Sequence, residues 1–230
     1  METLHLDRDI VIGDIHGCYN TFSKLLFDIL KISKNDKIYL LGDYIDRGLK
    51  SKEVIDLIIS LQNEGYTIYP IKGNHEFLLL ESMSSVEAFQ VWVYNGCIST
   101  LESFHIERAN DLSEEYINFF SNLPYYIKLD KFVLVHGGMN LNIKDPYTDT
   151  DSMVWIRQEK GDILKKLNKR IIAGHTPLPL YKIKESLSEP KIYLDGGCVY
   201  YKRYEGLGYL CALELNTMEL FYQLNIEDNI

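Results

Sequence analysis

The chain is poor in cysteine, in basic charge and in long apolar runs, and each shortage removes a class of function. Its four cysteines, Cys18, Cys97, Cys198 and Cys211, have no CxxC spacing, which argues against a zinc knuckle or a disulfide framework and leaves reduced thiols. Lysine and arginine number 24 against 33 acidic residues, a net charge of -9 that disfavours a nucleic-acid polymer as partner. Any phosphate chemistry must then draw on local positive charge from arginines or metals. No run approaches the ~18 apolar residues of a membrane span, and the opening METLHLDRDI carries acidic groups where a signal peptide has an apolar core. No membrane partner is expected, and the cytoplasm is the default location. Repeats and low-complexity segments are also lacking, so residues 1–230 are expected to form one domain carrying an insertion.

What is present is alternation. Short apolar runs (Asp9 to Ile12, Lys37 to Leu41, Tyr66 to Ile71) are separated by amphipathic stretches, the pattern of βαβ units around a mostly parallel sheet. One helix is predicted from about Asn20 to Ile32, with Asn20 and Thr21 as cap-type residues. A second runs from about Ser51 to Glu64, with Ser51 as N-cap, an apolar stripe through Val54, Ile55, Ile58, Ile59 and Leu61, and Gly65 as its stop. From about Phe77 to Lys128 the periodicity is helical with no strong strand, which predicts an inserted helical cap. Strand-like runs return at Phe132 to Val135, Ile171 to Ala173 and Ile192 to Leu194, and Tyr209 to Leu215 with Glu219 to Leu224 forms a hairpin.

Five polar blocks stand at the C-terminal ends of these strands: GDIHG (13–17), GDYIDRG (42–48), GNHE (73–76), HGG (136–138) and AGHT (173–176). In an α/β sheet such ends share one rim, so loops distant in sequence converge there. Asp14 and His16 lie two apart and, in an extended segment, project to the same side. Asp43, Asn74, His136 and His175 add a carboxylate, an amide oxygen and two imidazoles, a donor set suited to divalent manganese or iron, with zinc possible. Six protein ligands are too many for one ion that keeps open positions, so two ions bridged by Asp43 are expected. Alone, each block is an ordinary glycine turn or a structural histidine; five in order at strand ends are a metal site.

Together the blocks resemble the phosphoprotein phosphatase family of dinuclear metallophosphatases, especially its short bacterial and bacteriophage lambda-type serine/threonine phosphatases. YLDGGCVY (193–200) resembles the family's late strand-end segment, and WVYNGCISTLESF its cap segment. The resemblance implies an α/β fold, a calcineurin-like metallophosphatase β-sandwich flanked by helices, with a small helical cap inserted at about 77–128. It implies that Asp14, His16 and Asp43 hold one metal and Asp43, Asn74, His136 and His175 the other. His75 would be the general acid, oriented and charged by Asp46; Arg47 would contact phosphate oxygens, and Arg157 in MVWIR matches the second phosphate-gripping arginine. Glu76 is expected to bond His75 or a loop backbone, Trp92 to pack in the cap, and Cys18 to be a bystander. His5 and His105 match nothing, and Tyr200, Tyr201 and Tyr204 are ordinary surface or strand residues.

The activity implied is metal-dependent hydrolysis of phosphoserine and phosphothreonine in proteins, extending to phosphotyrosine, by in-line attack of a water activated between two divalent ions, manganese first, without a phosphoenzyme. The alternative is the hydrolysis of dinucleoside tetraphosphates or cyclic nucleotides, small phosphate esters, at the same dinuclear site. Asp46 and Glu76 tilt toward the phosphatase, because the symmetrical diadenosine tetraphosphate hydrolases of enterobacteria differ at both positions. Other small bacterial members with a DRG block cleave dinucleotides. A non-enzymatic scaffold should have lost a ligand, and none is missing.

Overall fold

Two sheets carry the apolar runs, as the β-sandwich implied by the resemblance requires, where the alternation alone suggested one mostly parallel sheet. The computed structural model describes residues 7–159 and 161–228, so His5 lies outside the described residues. In the first sheet β1 (Asp9–Ile12), β2 (Lys37–Leu40) and β3 (Thr67–Pro70) are parallel neighbours. The later hairpin, β9 (Tyr209–Glu214) and β10 (Glu219–Leu224), joins this sheet antiparallel to β1, and the short β8 (Asp195–Gly196) pairs with β9. The second sheet has the order β4–β5–β6–β7, formed by Tyr126–Lys128, Phe132–Val135, Arg170–Ala173 and Lys191–Tyr193. Its last three strands are parallel.

The alternation of strand side chains explains the layering. Val11, Tyr39, Leu41 and Ile71 point from the first sheet into a core shared with Phe132, Leu134, Ile172 and Ile192 of the second. Ile10, Ile12 and Leu40 point the other way, against helices. These are α1 (Tyr19–Lys24), α2 (Ser51–Asn63), α3 (Asn74–Ser82), α4 (Val86–Tyr94), α5 (Ile98–Phe104) and α6 (Glu114–Asn122), which contribute Phe22, Val54, Leu79, Trp92, Leu101 and Phe120. The far face of the second sheet, with Val133, Val135 and Ile171, is covered by α7 (Thr150–Trp155) and α8 (Ile163–Leu167). A final helix, α9 (Leu180–Ser186), buries Ile183 between the sheets. No described helix is long and apolar enough to cross a membrane.

Local expectations shift where tertiary contacts claim the capping side chains. The first helix starts at Tyr19 and widens after Lys24 into a π-helical turn, Leu25–Leu30. Asn20 and Thr21 do not cap it, because the Thr21 amide and hydroxyl both donate to Glu227 near the chain end. Ser51 likewise caps nothing; its hydroxyl accepts from the Asp46 amide at 3.1 Å. The segment 77–128 is helical until the strand Tyr126–Lys128, and its helices pack into the same core as β1 and β2.

Candidate metal centre

The strand ends of both sheets meet at one edge of the sandwich, and the loops there are bent beyond ordinary turns. His16, Asp43, Asp46, Arg47 and His175 all have positive φ, between 47° and 71°. Such left-handed backbone in non-glycine residues costs energy and concentrates at functional sites. His16 at φ 47° is not extended, so a left-handed bend replaces the extended segment expected for Asp14 and His16. The Asp14 Oδ2 instead accepts from the His175 amide at 2.9 Å, and its Oδ1 has no partner although buried. Gly174 makes room for it, since a Cβ there would stand 2.0 Å from Asp14 Oδ1.

Asp43 is the hub. Its Oδ2 lies 3.3 Å from His136 Nε2, 3.5 Å from His16 Nε2 and 3.8 Å from His75 Nε2. Two donor clusters share it, His16–Asp43–His75 and Asp43–His136–His175, each with its ligand atoms within 4.8 Å of one another. Asn74 Oδ1 joins the second, 2.9 Å from His136 Nε2. Asp14 stands outside the two three-residue groups, on the His175 side. Backbone carbonyls set the tautomers: His16 Nδ1 donates to Ile45 O and His136 Nδ1 to Leu41 O, both at 2.8 Å, which turns each Nε2 inward.

Charge is crowded here. Burial alone would raise the Asp43 carboxyl, but His136 and His75 hold it well below the usual range. Burial opposes charge on His136, yet the carboxylates of Asp43 and Asp14 push it up to about 10. Burial and the neighbouring His136 drive His175 down to about 3, and burial with the Asp195 charge lifts Asp14 well above an ordinary carboxylate. An orphaned carboxylate oxygen, inward-facing imidazoles and a shared central carboxylate are what divalent cations would satisfy, so the residues present fit a metal pair.

Beside the hub, His75 Nδ1 donates to Asp46 Oδ2 at 2.6 Å, and His75 Nε2 is buried without a partner. Asp46 is itself gripped from the helical segment: Trp92 Nε1 donates to the same Oδ2 at 2.7 Å and Thr100 Oγ1 to Oδ1 at 2.5 Å. The sequence hints at neither role, apart from the general need of a buried indole N–H for an acceptor. Glu76 spans a loop backbone, accepting from Asp43, Tyr44 and Gly73 amides at 2.8–2.9 Å. Burial and then the Asp43 charge push its carboxyl up to about 7.

The arginines sit on opposite sides. The Arg47 guanidinium donates to His16 Nε2, while Arg157 is exposed and reaches the His175 carbonyl at 3.4 Å. The Arg157 loop rests on Lys191, a buried ammonium that donates to Gly137 O, Glu159 Oε1 and Arg157 O at 2.8, 3.0 and 3.3 Å. Asp195, another buried carboxylate, accepts from the Gly197 amide at 2.8 Å; burial lifts its pKa to about 6. Cys18 is buried beneath the first loop, where Asn225 donates to its sulfur at 3.4 Å. His105 is exposed at the end of α5.

This fold and donor set define a metallophosphoesterase. Residues 10–212 match the calcineurin-like phosphoesterase family model, and the chain belongs to that family, whose members use divalent metals. It is 27% identical to an asymmetrical bis(5'-nucleosyl)-tetraphosphatase of Anoxybacillus flavithermus, with 91% of each chain covered. A protein of the same description from Oceanobacillus iheyensis is 26% identical, covering 83% of this chain and 84% of its own. Among solved structures, one provisionally described as a diadenosine tetraphosphatase superposes with a TM-score of 0.69 at 18% identity, covering 97% of this chain and 96% of the other. A yeast serine/threonine phosphatase superposes with a TM-score of 0.63 at 15% identity, covering 96% of this chain and 81% of the other. At these identities the superpositions speak for the fold alone.

Proposed function

We propose that the protein hydrolyses dinucleoside tetraphosphates asymmetrically, releasing a nucleoside triphosphate and a nucleoside monophosphate, at a site holding two divalent ions. The reaction class rests on Asp43, a buried carboxylate shared by two donor clusters. The substrate class rests on likeness over nine-tenths of the chain to asymmetrical tetraphosphatases. Of the three substrate classes the sequence left in contention, phosphoproteins, dinucleoside tetraphosphates and cyclic nucleotides, the second is the one the relatives favour.

Asp14, His16 and Asp43 are assigned to one ion and Asp43, Asn74, His136 and His175 to the other, with manganese the first choice and iron or zinc alternatives. Bound there, the ions would acidify a water and neutralise charge on the phosphoryl group. The protein's own groups do the rest. Arg47 and Arg157 offer guanidinium forks to phosphate oxygens from two sides, which fixes the polyphosphate in line. His75, held by Asp46 through Nδ1 and with a buried, unpartnered Nε2 among the donor groups, is suited to give the departing oxygen a proton. Residues 1–230 act as one unit, since the segment between 77 and 128 supplies the donors that fix Asp46. A location in the cytoplasm suits such a substrate.

One observation favours hydrolysis of phosphomonoesters instead. His75 Nδ1 stands 2.6 Å from Asp46 Oδ2, and a histidine acid so held helps an alkoxide leave far more than it helps a nucleotide phosphate. The deciding experiment is a manganese-supported panel of diadenosine tetraphosphate, a phosphothreonine peptide and cyclic AMP. The dinucleotide is expected to have a kcat/KM about tenfold or more above the others; a faster phosphopeptide would overturn this reading.

A further inference from the structure

A dinucleotide substrate needs a surface for its bases as well as for its phosphates, and the loop after β8 supplies an aromatic one. The short 3-10 turn Cys198–Tyr200 begins it. The Tyr200 amide donates to Gly197 O at 2.8 Å and the Tyr204 amide to Tyr200 O at 3.3 Å, so the two tyrosines sit one helical turn apart. Their rings meet edge to face, with centroids 5.5 Å apart at 78°. Tyr201, between them, does something else: its ring lies against Gly208, where a Cβ would stand 2.8 Å from Tyr201 Cδ2. It closes the loop rather than facing the site.

Arg47 links this pair to the metal donors. Its guanidinium carbon is 5.6 Å from the centre of the Tyr200 ring, while an amino group of the same fork donates to His16 Nε2. One side chain therefore spans from the metal centre to the aromatic pair. Tyr200 is half-buried beneath the arginine, and Tyr204 is 62% exposed farther out. Contact with the ring face steadies the guanidinium by cation–π attraction and leaves the N–H groups not given to His16 free for phosphate.

We propose that Tyr204, backed by Tyr200, is the stacking platform for one nucleobase of the dinucleotide, with Arg47 on the phosphate chain between the base and the metal centre. The proposal rests on the tetraphosphatase reading above and names the residues that would distinguish a nucleotide from a bare polyphosphate. Stacking on an aromatic face tolerates any base, so the platform selects for a base without reading which one. The acidic net charge does not oppose it, since stacking does not depend on bulk electrostatics.

The test compares Tyr204→Ala and Tyr204→Phe with the wild type under manganese, measuring the KM for diadenosine tetraphosphate against the inhibition constant of inorganic tripolyphosphate, which has no base. Tyr204→Ala is expected to raise the ratio of the two constants about tenfold, and Tyr204→Phe, which keeps the ring, to hold it within about twofold. An enzyme that cleaves the dinucleotide with the same ratio in Tyr204→Ala overturns the platform alone. A wild type that leaves the dinucleotide intact overturns the substrate reading and the platform with it.

Discussion

The two ring nitrogens of His75 have unequal surroundings: Nδ1 is spoken for by Asp46, and Nε2 is buried among the donor groups with no partner. His75→Ala should therefore depress turnover of an alkyl phosphate about 100-fold or more, and that of p-nitrophenyl phosphate much less, because a nitrophenolate hardly needs a proton. Equal losses on both would remove the general-acid assignment. Trp92→Phe replaces the buried indole by a smaller phenyl and takes one donor from Asp46, which should cost about 2–4 kcal/mol in a urea titration and lower kcat while metal content stays at the wild-type level. The candidate donor residues were legible because each sits beside a glycine at a strand end. Trp92 and Thr100 were not, because a hydrogen bond spanning 46 or 54 positions leaves no local pattern. Asp46 and Glu76, which tilted the sequence toward a phosphoprotein substrate while the relatives favour a dinucleotide, contact His75 and loop amides, so they report on the machinery and not on what it cleaves.

Between elements, buried charges act as joints. Arg8 reaches Asp36 at 2.9 and 2.7 Å and the Leu30 carbonyl at 3.0 Å, pinning the end of the π-helical turn to the start of β2. Burial would raise the Asp36 carboxyl, but Arg8 and the Ser33 amide outweigh it and hold its pKa below 3.8. A depressed carboxylate contributes stability above its unfolded pKa, and the contribution is lost as pH falls through the folded value. Arg8→Met should thus cost about 1–3 kcal/mol near neutrality and move the acid-unfolding midpoint to higher pH. In the second sheet, Lys191→Met would leave Glu159 buried and unpaired, a loss of about 3–5 kcal/mol that adding Glu159→Leu should partly recover; calorimetry of the single and double variants checks this. Strand positions were readable from short apolar runs, but their division into two sheets came only with the family resemblance and not from the runs themselves. Ile10 and Val11 are both fully buried, on opposite faces, so the run looks the same whichever sheet it joins.

For the molecule as a whole, the candidate metal centre is the seam of the sandwich. Donors from β1, β2 and β3 loops of one sheet face donors from β5 and β6 loops of the other, joined across the gap by His136 Nδ1 on Leu41 O and the His175 amide on Asp14. Ions bound there would tie the sheets together, so chelation should destabilise the fold as well as stop catalysis. Manganese at about 100 times its Kd is expected to raise the Tm by about 5–10 °C over the chelated protein, and an unchanged Tm would mean that the clusters hold no ion. The calcineurin-like phosphoesterase family was legible from five spaced blocks, whereas the serine/threonine phosphatase branch read with it is not the one the relatives favour, since related loops surround different phosphate esters.

The most direct test is to identify the products of diadenosine tetraphosphate incubated with the manganese-loaded enzyme, resolved by anion-exchange chromatography at early times. The account predicts ATP and AMP in equal amounts, with none formed in excess chelator. ADP as the sole product, or an intact dinucleotide beside a dephosphorylated phosphopeptide, would contradict it.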